Sequence, residues 1–306
     1  MADALRLEVP QRLDGDRVDK ALAEMLELSR ARARALIDQG VLIDGAPARP
    51  SDRVRAGGVL VTPLPTESGG LEPEAIDLRV VHEDPDLIVV DKPAGLVVHP
   101  GSGHRGSTLA AGLVHRYPEL EGVGDPGRWG LVHRLDRDTS GLLLVGRTRV
   151  AFDRLRADLA ARRVSRVYTA LVHGGFSTPT GTIDAPIGAD PSRPTRRAVV
   201  AGGKPAVTHY EVLEYFPESG LSFLEVALGT GRTHQIRVHL AAIDHPVVGD
   251  KTYSTLRAPP KSTRLFLHAH RLGLSHPISG DPVNFVSPLP PDLVAVLESV
   301  REPEHG

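Results

Sequence analysis

The segment 130–141, GLVHRLDRDTSG, concentrates side chains that could do chemistry. A histidine, two arginines, two aspartates, a threonine and a serine fall within the eight positions 133–140. They lead directly into Leu-Leu-Leu-Val at 142–145, an apolar run that predicts a buried strand. Loops held by a rigid element commonly carry functional residues. The segment is therefore a candidate active-site loop, and a salt-bridged turn is its purely structural alternative.

A second polar segment, 228–240, has the sequence LGTGRTHQIRVHL. If a helix begins at His234, Arg232 and the backbone N–H groups at the helix start form an anion-binding end. A carboxylate nucleophile must stay ionised while partly desolvated, and because burial raises its pKa, an adjacent arginine is needed to lower it again. Arginine remains protonated and can bind a carboxylate bidentately. Asp136 and Arg237 are candidates for such a pair, although residue types alone leave the pairing open.

The first part of the chain predicts a small independent module. Apolar residues recur at helical spacing over 16–26, and Ser29 is a candidate N-cap for a second helix that ends near Gln39. Short strands are predicted at 41–43 and 58–62, with a turn at Asp44-Gly45 after the first of them. These elements predict a first domain over 13–63. Residues 64–75 are rich in Pro, Gly and Ser in their first part and predict a linker.

The remaining residues, 76–300, predict a second and larger domain. Its apolar, β-branched runs predict strands at 87–90, 142–145, 167–172, 223–228 and 283–286. Helical patterns lie between some of them, at 107–117, 151–161 and 234–243. The irregular order and short spacings favour an α+β fold with a mixed, largely antiparallel sheet and flanking helices. No G-x-G-x-x-G follows a predicted strand, and neither a P-loop nor a G-x-S-x-G motif occurs, so the corresponding nucleotide-binding and hydrolase classes lose their main support.

Composition excludes some further classes. The 306 residues include no cysteine, which removes disulfides, thiolate metal sites and a cysteine nucleophile, and which suits a reducing cytosol. No signal peptide or stretch long enough to span a membrane is evident, so we expect a cytoplasmic protein. The tight histidine pairs, 234/239 and 268/270, lack metal-ligand spacing, so no metal is expected. No amphipathic stripe is left over for a partner, which favours a monomer.

The net charge of −2 hides a strong segregation of charge. Between 146 and 166 there are seven arginines against two aspartates, and 192–204 holds three arginines and one lysine without an acid. The acids concentrate over 67–91, where eight of them accompany a single arginine. Arginine clusters of this kind are often only solvated surface, but they are also compatible with binding to nucleic acid.

The run 133–142, HRLDRDTSGL, resembles the signature of the RluA/RluD class of pseudouridine synthases, which act on ribosomal RNA. Further runs resemble that class in the right order along residues 80–295. They are 90–100 (VDKPAGLVVHP), 166–170 (RVYTA), 231–240 (GRTHQIRVHL), 245–250 (HPVVGD), 267–270 (LHAH) and 287–290 (SPLP). The order and number of these matches make chance similarity a poor explanation.

The N-terminal module resembles the S-four-like RNA-binding fold, an α/β domain that the RluD-like branch carries as an appendage. The resemblance lies in Arg12-Leu13-Asp14, in Ser29-Arg30-Ala31 and in the run 37–45, IDQGVLIDG. Two positions depart from the usual pattern: Asp44 stands where Asn is common, and Gly58 where Asp is common. Both exchanges suit a turn and change the expected fold little.

The resemblance implies roles for individual residues. Asp136 is the essential carboxylate, either as the nucleophile at the sugar or as the base on its 2′ position. Tyr168 stacks on the flipped uracil, Arg237 keeps Asp136 ionised, and Arg134 fills the place that the base vacates. Further RNA contacts are expected from a set of basic residues: Arg30, Arg232, His234, Arg162 and Arg163. The resemblance implies no cofactor, and the expected partner is large-subunit (23S) ribosomal RNA, free or in a pre-ribosomal particle.

Two other functions compete with this interpretation. A non-catalytic RNA-binding factor of ribosome assembly would share the N-terminal module and the basic stretches, but it would not need an aspartate at 136. A hydrolase that uses Asp136 and Asp138 on a glycosidic bond would need carboxylates on the same side. Residues two apart on a loop or strand point in different directions, which disfavours the hydrolase.

Overall fold

The computed structural model describes residues 4–26, 28, 30–63, 71–99, 107–125, 127–259 and 262–302. The chain divides into two compact units between Glu72 and Pro73. Among the described residues, no helix has both the length and the apolar character that crossing a bilayer demands.

The first unit is a four-stranded antiparallel sheet with two helices. Its elements in chain order are β1 (Ala4–Glu8), α1 (Val18–Met25), α2 (Arg30–Gly40), β2 (Leu42–Ile43), β3 (Ala46–Pro47) and β4 (Val59–Pro63), and the strand order is β1-β4-β2-β3. Val18 and Leu22 of α1 pack with Leu60 of β4 in its core. The two predicted helices and the two predicted strands are present, whereas the proposed cap at Ser29 lies outside the described residues.

Strand β1 is the element of this unit that sequence patterns did not indicate. It precedes the predicted domain start at residue 13 and pairs antiparallel with β4, from Ala4 opposite Pro63 to Glu8 opposite Val59. The predicted turn at Asp44-Gly45 is present, and both residues have positive φ, 48° and 87°. That combination is typical of a tight hairpin turn.

The second unit is built on a nine-stranded sheet. Its elements in chain order are β5 (Arg79–Glu83), β6 (Leu87–Lys92), α3 (Leu109–Arg116), β7 (Ser140–Gly146), α4 (Arg149–Ala160), β8 (Ser165–His173), β9 (Thr180–Asp184), β10 (Ile187–Ala189), β11 (Arg197–Val199), β12 (Val207–Phe216), β13 (Leu221–Leu228), α5 (Gln235–Ala242), β14 (Leu267–Ser275), β15 (Pro282–Val286) and α6 (Pro291–Arg301). The strand order is β5-β6-β7-β14-β8-β13-β12-β9, with β15 paired to β14, while β10 and β11 form a separate ribbon. Within the large sheet only the β7–β14 pair is parallel, which confirms the predicted mixed, largely antiparallel α+β fold.

Flanking helices cover the sheet with two apolar clusters. Leu155 of α4 packs with Leu142 and Leu144 of β7. Val296 of α6 belongs to a second cluster with Leu171 of β8. Helix α4 begins at Arg149, two residues before the predicted start at 151, and the hydroxyl of Thr148 accepts the backbone N–H of Ala151 as its N-cap.

All five predicted strands and all three predicted helices of this unit are present, but several elements had no recognised sequence pattern. The most important is β14, which lies at the middle of the sheet between β7 and β8. Its sequence, LHAHRLGLS, alternates in two short halves whose phase shifts at His270-Arg271, where the pairing with β8 also shifts register, so no alternation runs through the whole strand. Strand β12, the ribbon β10–β11 and helix α6 were also not predicted.

The parallel contact between β7 and β14 depends on Gly141. Its backbone has φ 114°, a conformation that side-chain-bearing residues rarely adopt, and it lies opposite Ala269 in the register. A Cβ at this position would overlap the backbone of Ala269. Because the candidate active-site loop enters β7 at this point, the close approach also fixes where the loop ends.

We predict that Gly141→Ala lowers the free energy of unfolding by about 2–5 kcal/mol, because unfavourable φ and backbone overlap act together. Gly122→Ala is a matched control, since Gly122 also has positive φ, 81°, but open space around an added Cβ. It should lose only about 1–2 kcal/mol. Thermal unfolding of the two variants measures the difference, and equal losses would contradict the role of the close approach.

Candidate active site

The candidate loop and the second polar segment meet through an ion pair. Asp136 lies in the loop before β7, and its Oδ2 accepts a hydrogen bond from Nη1 of Arg237 at 3.1 Å. Arg237 lies on α5, and the two side chains are 17% and 10% exposed. The residues are 101 positions apart, so tertiary structure brings together the pair that the residue types only suggested.

Arg237 is itself held by a second carboxylate, Asp250, which sequence reasoning did not single out. Nε and Nη2 of Arg237 donate to the two oxygens of Asp250 at 2.7 and 2.9 Å. Burial by itself lowers the pKa of Arg237, but the hydrogen bonds and charges of Asp250 and Asp136 outweigh it and raise that pKa above its ordinary value. Arg237 is therefore a permanent cation that is fixed in direction by Asp250 and faces Asp136.

Asp250 is fully buried and its charge is satisfied on all sides. Burial raises its pKa, yet the hydrogen bonds and charge of Arg237 more than reverse the effect, and the net pKa is lowered. Its Oδ1 also accepts the backbone N–H groups of Thr252 and Tyr253 at 2.8 and 3.0 Å. The sequence signal that could have found it is its place in the run HPVVGD, which follows Arg237 closely in the chain.

His234 approaches the other oxygen of Asp136. Its Nε2 lies 3.9 Å from Oδ1 of Asp136, and its Nδ1 lies 2.8 Å from the hydroxyl of Tyr253. The Tyr253 hydroxyl accepts the backbone N–H of Arg197 and has one proton to donate, so we assign that proton to the bond with Nδ1. Neutral His234 then carries its ring proton on Nε2, on the side of Asp136. Burial, together with nearby Arg237, lowers the pKa of His234 despite the opposing charge of Asp136.

Lys92 is hydrogen-bonded to the loop that contains Asp136. It is fully buried, and its Nζ donates to the carbonyl oxygens of Pro93, Leu96 and Arg137 at 2.7–2.9 Å. Burial lowers the pKa of Lys92 to about 7, and in the protonated form these three bonds use every donor of the ammonium. One of them holds the residue that follows Asp136, so Lys92 joins the end of β6 to the active-site loop.

His133 plays a structural part at the start of the loop. Its Nε2 accepts the backbone N–H of Leu144 at 3.0 Å, which requires that nitrogen to be unprotonated. Burial, assisted by the charge of Arg166, lowers the pKa of His133 to about 3. The ring is therefore neutral at physiological pH and fastens the loop to β7.

Tyr168, on β8, is 6% exposed and lies in the wall of the same site. Burial raises the pKa of its hydroxyl, the charge of Asp136 adds to the rise, and Arg166 opposes it. The phenol therefore stays protonated at neutral pH unless a substrate changes its surroundings. Buried apolar residues such as Leu135 and Ile236 line the same cavity, so the role that the family resemblance implies for Tyr168 stays a prediction.

The ion pair between Asp136 and Arg237 lies in the wall of a cavity of about 400 Å³. The residues singled out from the sequence that line it are Arg134, Asp136, Arg162, Tyr168, Arg232, His234 and Arg237. Arg163 lies outside the lining and forms an ion pair with Asp158. His239 and His268 are buried and hydrogen-bonded within the fold, to Thr208 and Ser140 respectively. No cluster of three or more potential metal ligands occurs among the described residues.

Arg30 belongs to the first unit, where it is one of three arginines around Asp19. The carboxylate of Asp19 is fully buried and accepts hydrogen bonds from Arg17, Arg30 and Arg34 at 2.9–3.1 Å. Burial raises the pKa of Asp19, and the three arginines outweigh burial and lower it. One acid thereby holds three half-exposed cations on this unit. Asp19 was not singled out from the sequence.

Comparison with known proteins follows the same division of the chain. A family model described as RNA pseudouridylate synthase matches residues 86–242. A model described as S4 domain matches residues 16–60, which includes Asp19 but not the run at 12–14 that sequence reasoning had used.

Several curated proteins are similar over almost the whole chain. "Ribosomal large subunit pseudouridine synthase D" of Nitrosomonas europaea is 45% identical, with 99% of this chain and 90% of that protein covered. The protein of the same name from Pseudomonas aeruginosa is 44% identical, with 96% and 95% covered. An "Uncharacterized RNA pseudouridine synthase" of Chloroflexus aurantiacus is 49% identical, with 96% and 93% covered.

A solved structure agrees with the fold of the larger unit. "Human RNA Pseudouridylate Synthase Domain Containing 1" is 28% identical, with a TM-score of 0.58, and the match covers 77% of this chain and 98% of that one.

We predict that His133 makes the fold sensitive to acid. Its folded pKa of about 3 lies below the unfolded value, so between about pH 6.5 and pH 3 the unfolded chain binds an extra proton and stability falls as pH falls. His133 contributes at most about 1.4 kcal/mol per pH unit to this slope. In His133→Gln the side-chain oxygen can still accept the Leu144 N–H but does not titrate, so the slope should be shallower. Urea unfolding from pH 7 to pH 4 measures both slopes, and identical slopes would show the assignment to be wrong.

Proposed function

Because the chain belongs to the family of RNA pseudouridylate synthases, we propose that it converts specific uridines of large-subunit ribosomal RNA to pseudouridine with Asp136 as its essential carboxylate. Enzymes of this family are isomerases. They break the bond between uracil N1 and the sugar, rotate the base and rejoin it through carbon 5. One proton leaves C5 and N1 regains one, so no redox step and no cofactor is required.

The observation that carries the assignment of Asp136 is its contact with a fixed cation inside a cavity. Asp136 is partly buried, yet Arg237 approaches one of its oxygens, and Asp250 fixes the direction of Arg237. Arg237 contacts only one of the two carboxylate oxygens of Asp136, so the other oxygen keeps lone pairs available to a substrate. This is the condition for attack at the sugar C1′ and equally for removal of a proton from C2′.

The other groups of the cavity fit the remaining steps. A uridine inside an RNA stem must leave the helix to reach Asp136, which costs a few kcal/mol of unstacking. Arg134 is exposed at the cavity and could occupy the vacated place, while Tyr168 offers its ring to the flipped uracil. Tyr168 could accept the C5 proton after rotation of the base only if its phenol had first lost its own proton, because burial raises the pKa of that phenol. His234, with its proton on Nε2, is a donor beside Asp136.

Ribosomal large-subunit RNA is the substrate that best fits the relatives and the domain content. The similar proteins from Nitrosomonas europaea and Pseudomonas aeruginosa are named for that activity. The S4 match, with its three arginines around Asp19, supplies a second basic surface suited to a large RNA. Action on 23S RNA places the protein in the cytoplasm, and we propose that it works there as a monomer without a metal ion.

A non-catalytic RNA-binding role in ribosome assembly is the alternative. It would use the same basic surfaces but would give no reason for the ion pairs that hold Asp136. A hydrolase using Asp136 and Asp138 fits less well, because Asp138 forms an exposed ion pair with its neighbour Arg137 and does not line the cavity.

We predict that Asp136→Asn abolishes pseudouridine formation, a loss of about 10²–10⁴-fold at the least, while RNA affinity stays nearly unchanged. Asp138→Asn is the matched control, because it removes a carboxylate two residues away that lies outside the cavity. Chemical labelling of pseudouridine in large-subunit RNA transcripts measures the activity. Equal modification by wild type and Asp136→Asn would contradict the catalytic assignment, and release of free uracil would contradict the isomerase.

We predict that two adjacent arginines differ in their contribution to RNA binding. Arg162 lines the cavity and forms no ion pair with a described residue, whereas Arg163 is neutralised by Asp158 at 2.5 Å. Arg162→Gln should therefore weaken affinity and reduce the slope of log K against log salt by about 0.7, the value for one phosphate of a single strand. Arg163→Gln should change both much less. Filter binding at several salt concentrations tests the pair, and equal effects would contradict the assignment.

A further inference from the structure

Arg166, on β8, is a buried cation that forms no ion pair with the residues that the structure describes. Its side chain belongs to a residue that is only 8% exposed. Its Nε is shielded from solvent and makes no hydrogen bond, and no described carboxylate forms an ion pair with it. Buried charges in proteins are normally paired, because an unpaired one loses its hydration without compensation. A buried arginine with an unsatisfied Nε and no paired acid among the described residues therefore points to a ligand that supplies negative charge.

The position of Arg166 specifies where that ligand lies. Arg166 lines the cavity that contains Asp136, and it precedes Tyr168 by two residues, so both side chains leave β8 on the same face. Asp136 is paired with Arg237, which is also bound by Asp250, so these three groups together carry a net charge of −1. Asp136 is the only acid among the described residues that line the cavity, and it forms no ion pair with Arg166. Four further arginines line the cavity, Arg134, Arg162, Arg166 and Arg232, so positive charge exceeds negative charge beside the reacting centre.

Gly231 leaves room for the guanidinium. A Cβ built at Gly231 would come within 2.6 Å of Nη1 of Arg166, closer than real contacts allow. Gly231 precedes Arg232 in the segment that leads to α5, so Arg166 reaches from the sheet to this segment. A guanidinium packed in this way loses little conformational freedom when it binds, which favours a specific contact.

We propose that Arg166 binds a non-bridging phosphate oxygen of the RNA backbone next to the nucleotide whose base enters the cavity. This inference rests on the proposed function. A guanidinium pairs readily with phosphate through two parallel hydrogen bonds. A uracil carbonyl would offer hydrogen bonds but no charge, so it would leave the cation uncompensated.

The proposed contact acts on binding more than on chemistry. The phosphate keeps its charge from substrate to product, so its bond to Arg166 is of similar strength in the ground state and the transition state. An interaction of this kind raises KM when it is lost and leaves kcat nearly unchanged. A role limited to packing within β8 would instead lower stability without selecting one phosphate.

The first experiment compares Arg166→Met with Arg271→Met on a large-subunit RNA transcript. Arg271 is an arginine of the adjacent β14 that is paired on the surface with Glu225, and its loss controls for overall charge. Arg166→Met should raise KM about 10–100-fold, the value of one charge-assisted hydrogen bond or two, with kcat nearly retained. Arg271→Met should change neither. An effect of Arg166→Met on kcat alone, or no effect, overturns the proposal.

The second experiment identifies the bound atom. The substrates are short RNAs that contain the target uridine. In each of them a neutral methylphosphonate replaces one of the phosphates that flank this uridine. At one position, the methylphosphonate should raise the KM of wild type by the same factor as Arg166→Met raises it on RNA with normal phosphates. The same replacement should leave the KM of Arg166→Met unchanged. If at every position the effects of the methylphosphonate and of Arg166→Met on KM multiply, the proposed contact is overturned. Failure of wild type to form pseudouridine in the transcript would instead reject the proposed function itself.

Gly231→Ala provides a variant that keeps the charge but displaces the guanidinium. The added methyl group meets the far end of a flexible side chain, so folding should be preserved, which a melting curve checks. KM should rise in the wild-type background and stay unchanged when Met already replaces Arg166. An equal rise in both backgrounds would mean that the methyl group meets the RNA directly, and it would overturn the placement of Arg166.

Discussion

The ion pair between Asp136 and Arg237 is the interaction on which the rest of the active site depends. A carboxylate beside an uncharged wall would take up a proton as it is desolvated, and it could then neither attack a sugar nor remove a proton. A neighbouring cation favours the charged form of a carboxylate, which is the part that Arg237 can play, but a lone arginine in the same place would itself be a poorly solvated charge. Asp250 resolves that second difficulty. The three groups alternate in sign, and each is stabilised by its neighbour.

The geometry of this chain of charges comes from rigid neighbours. Lys92 fastens the loop from the end of β6, His133 fastens it to β7, and Gly141 brings β7 against β14. The partners on the other side lie on or just after α5. The site is therefore assembled from a loop and a helix that are each anchored to the same sheet. Such anchoring suits catalysis, because small displacements of reacting groups lower the rate strongly.

The distribution of charge explains how a chain with net charge −2 can suit an RNA partner. Many arginines of the basic stretch 146–166 are neutralised locally, for example Arg149 by Asp153 and Arg163 by Asp158. Arg162 and Arg166 of this stretch, like Arg134 outside it, line the cavity and form no ion pair with a described acid. Binding to a polyanion depends on these unneutralised groups rather than on the total. Asp19 organises a comparable group on the first unit.

The sequence by itself determined the family and the α+β class and singled out Asp136 as the candidate carboxylate, since these follow from short motifs and from local periodicity. It also indicated Arg237 as a partner, because few residue types can keep a buried carboxylate ionised. Only the tertiary structure decided that the two meet, that Asp250 fixes Arg237, and that Arg166 is unpaired while Arg163 is not. Pairing of charges depends on distances between residues far apart in the chain. Strand β14 shows the same limit, because its histidines are satisfied by partners that no local pattern contains.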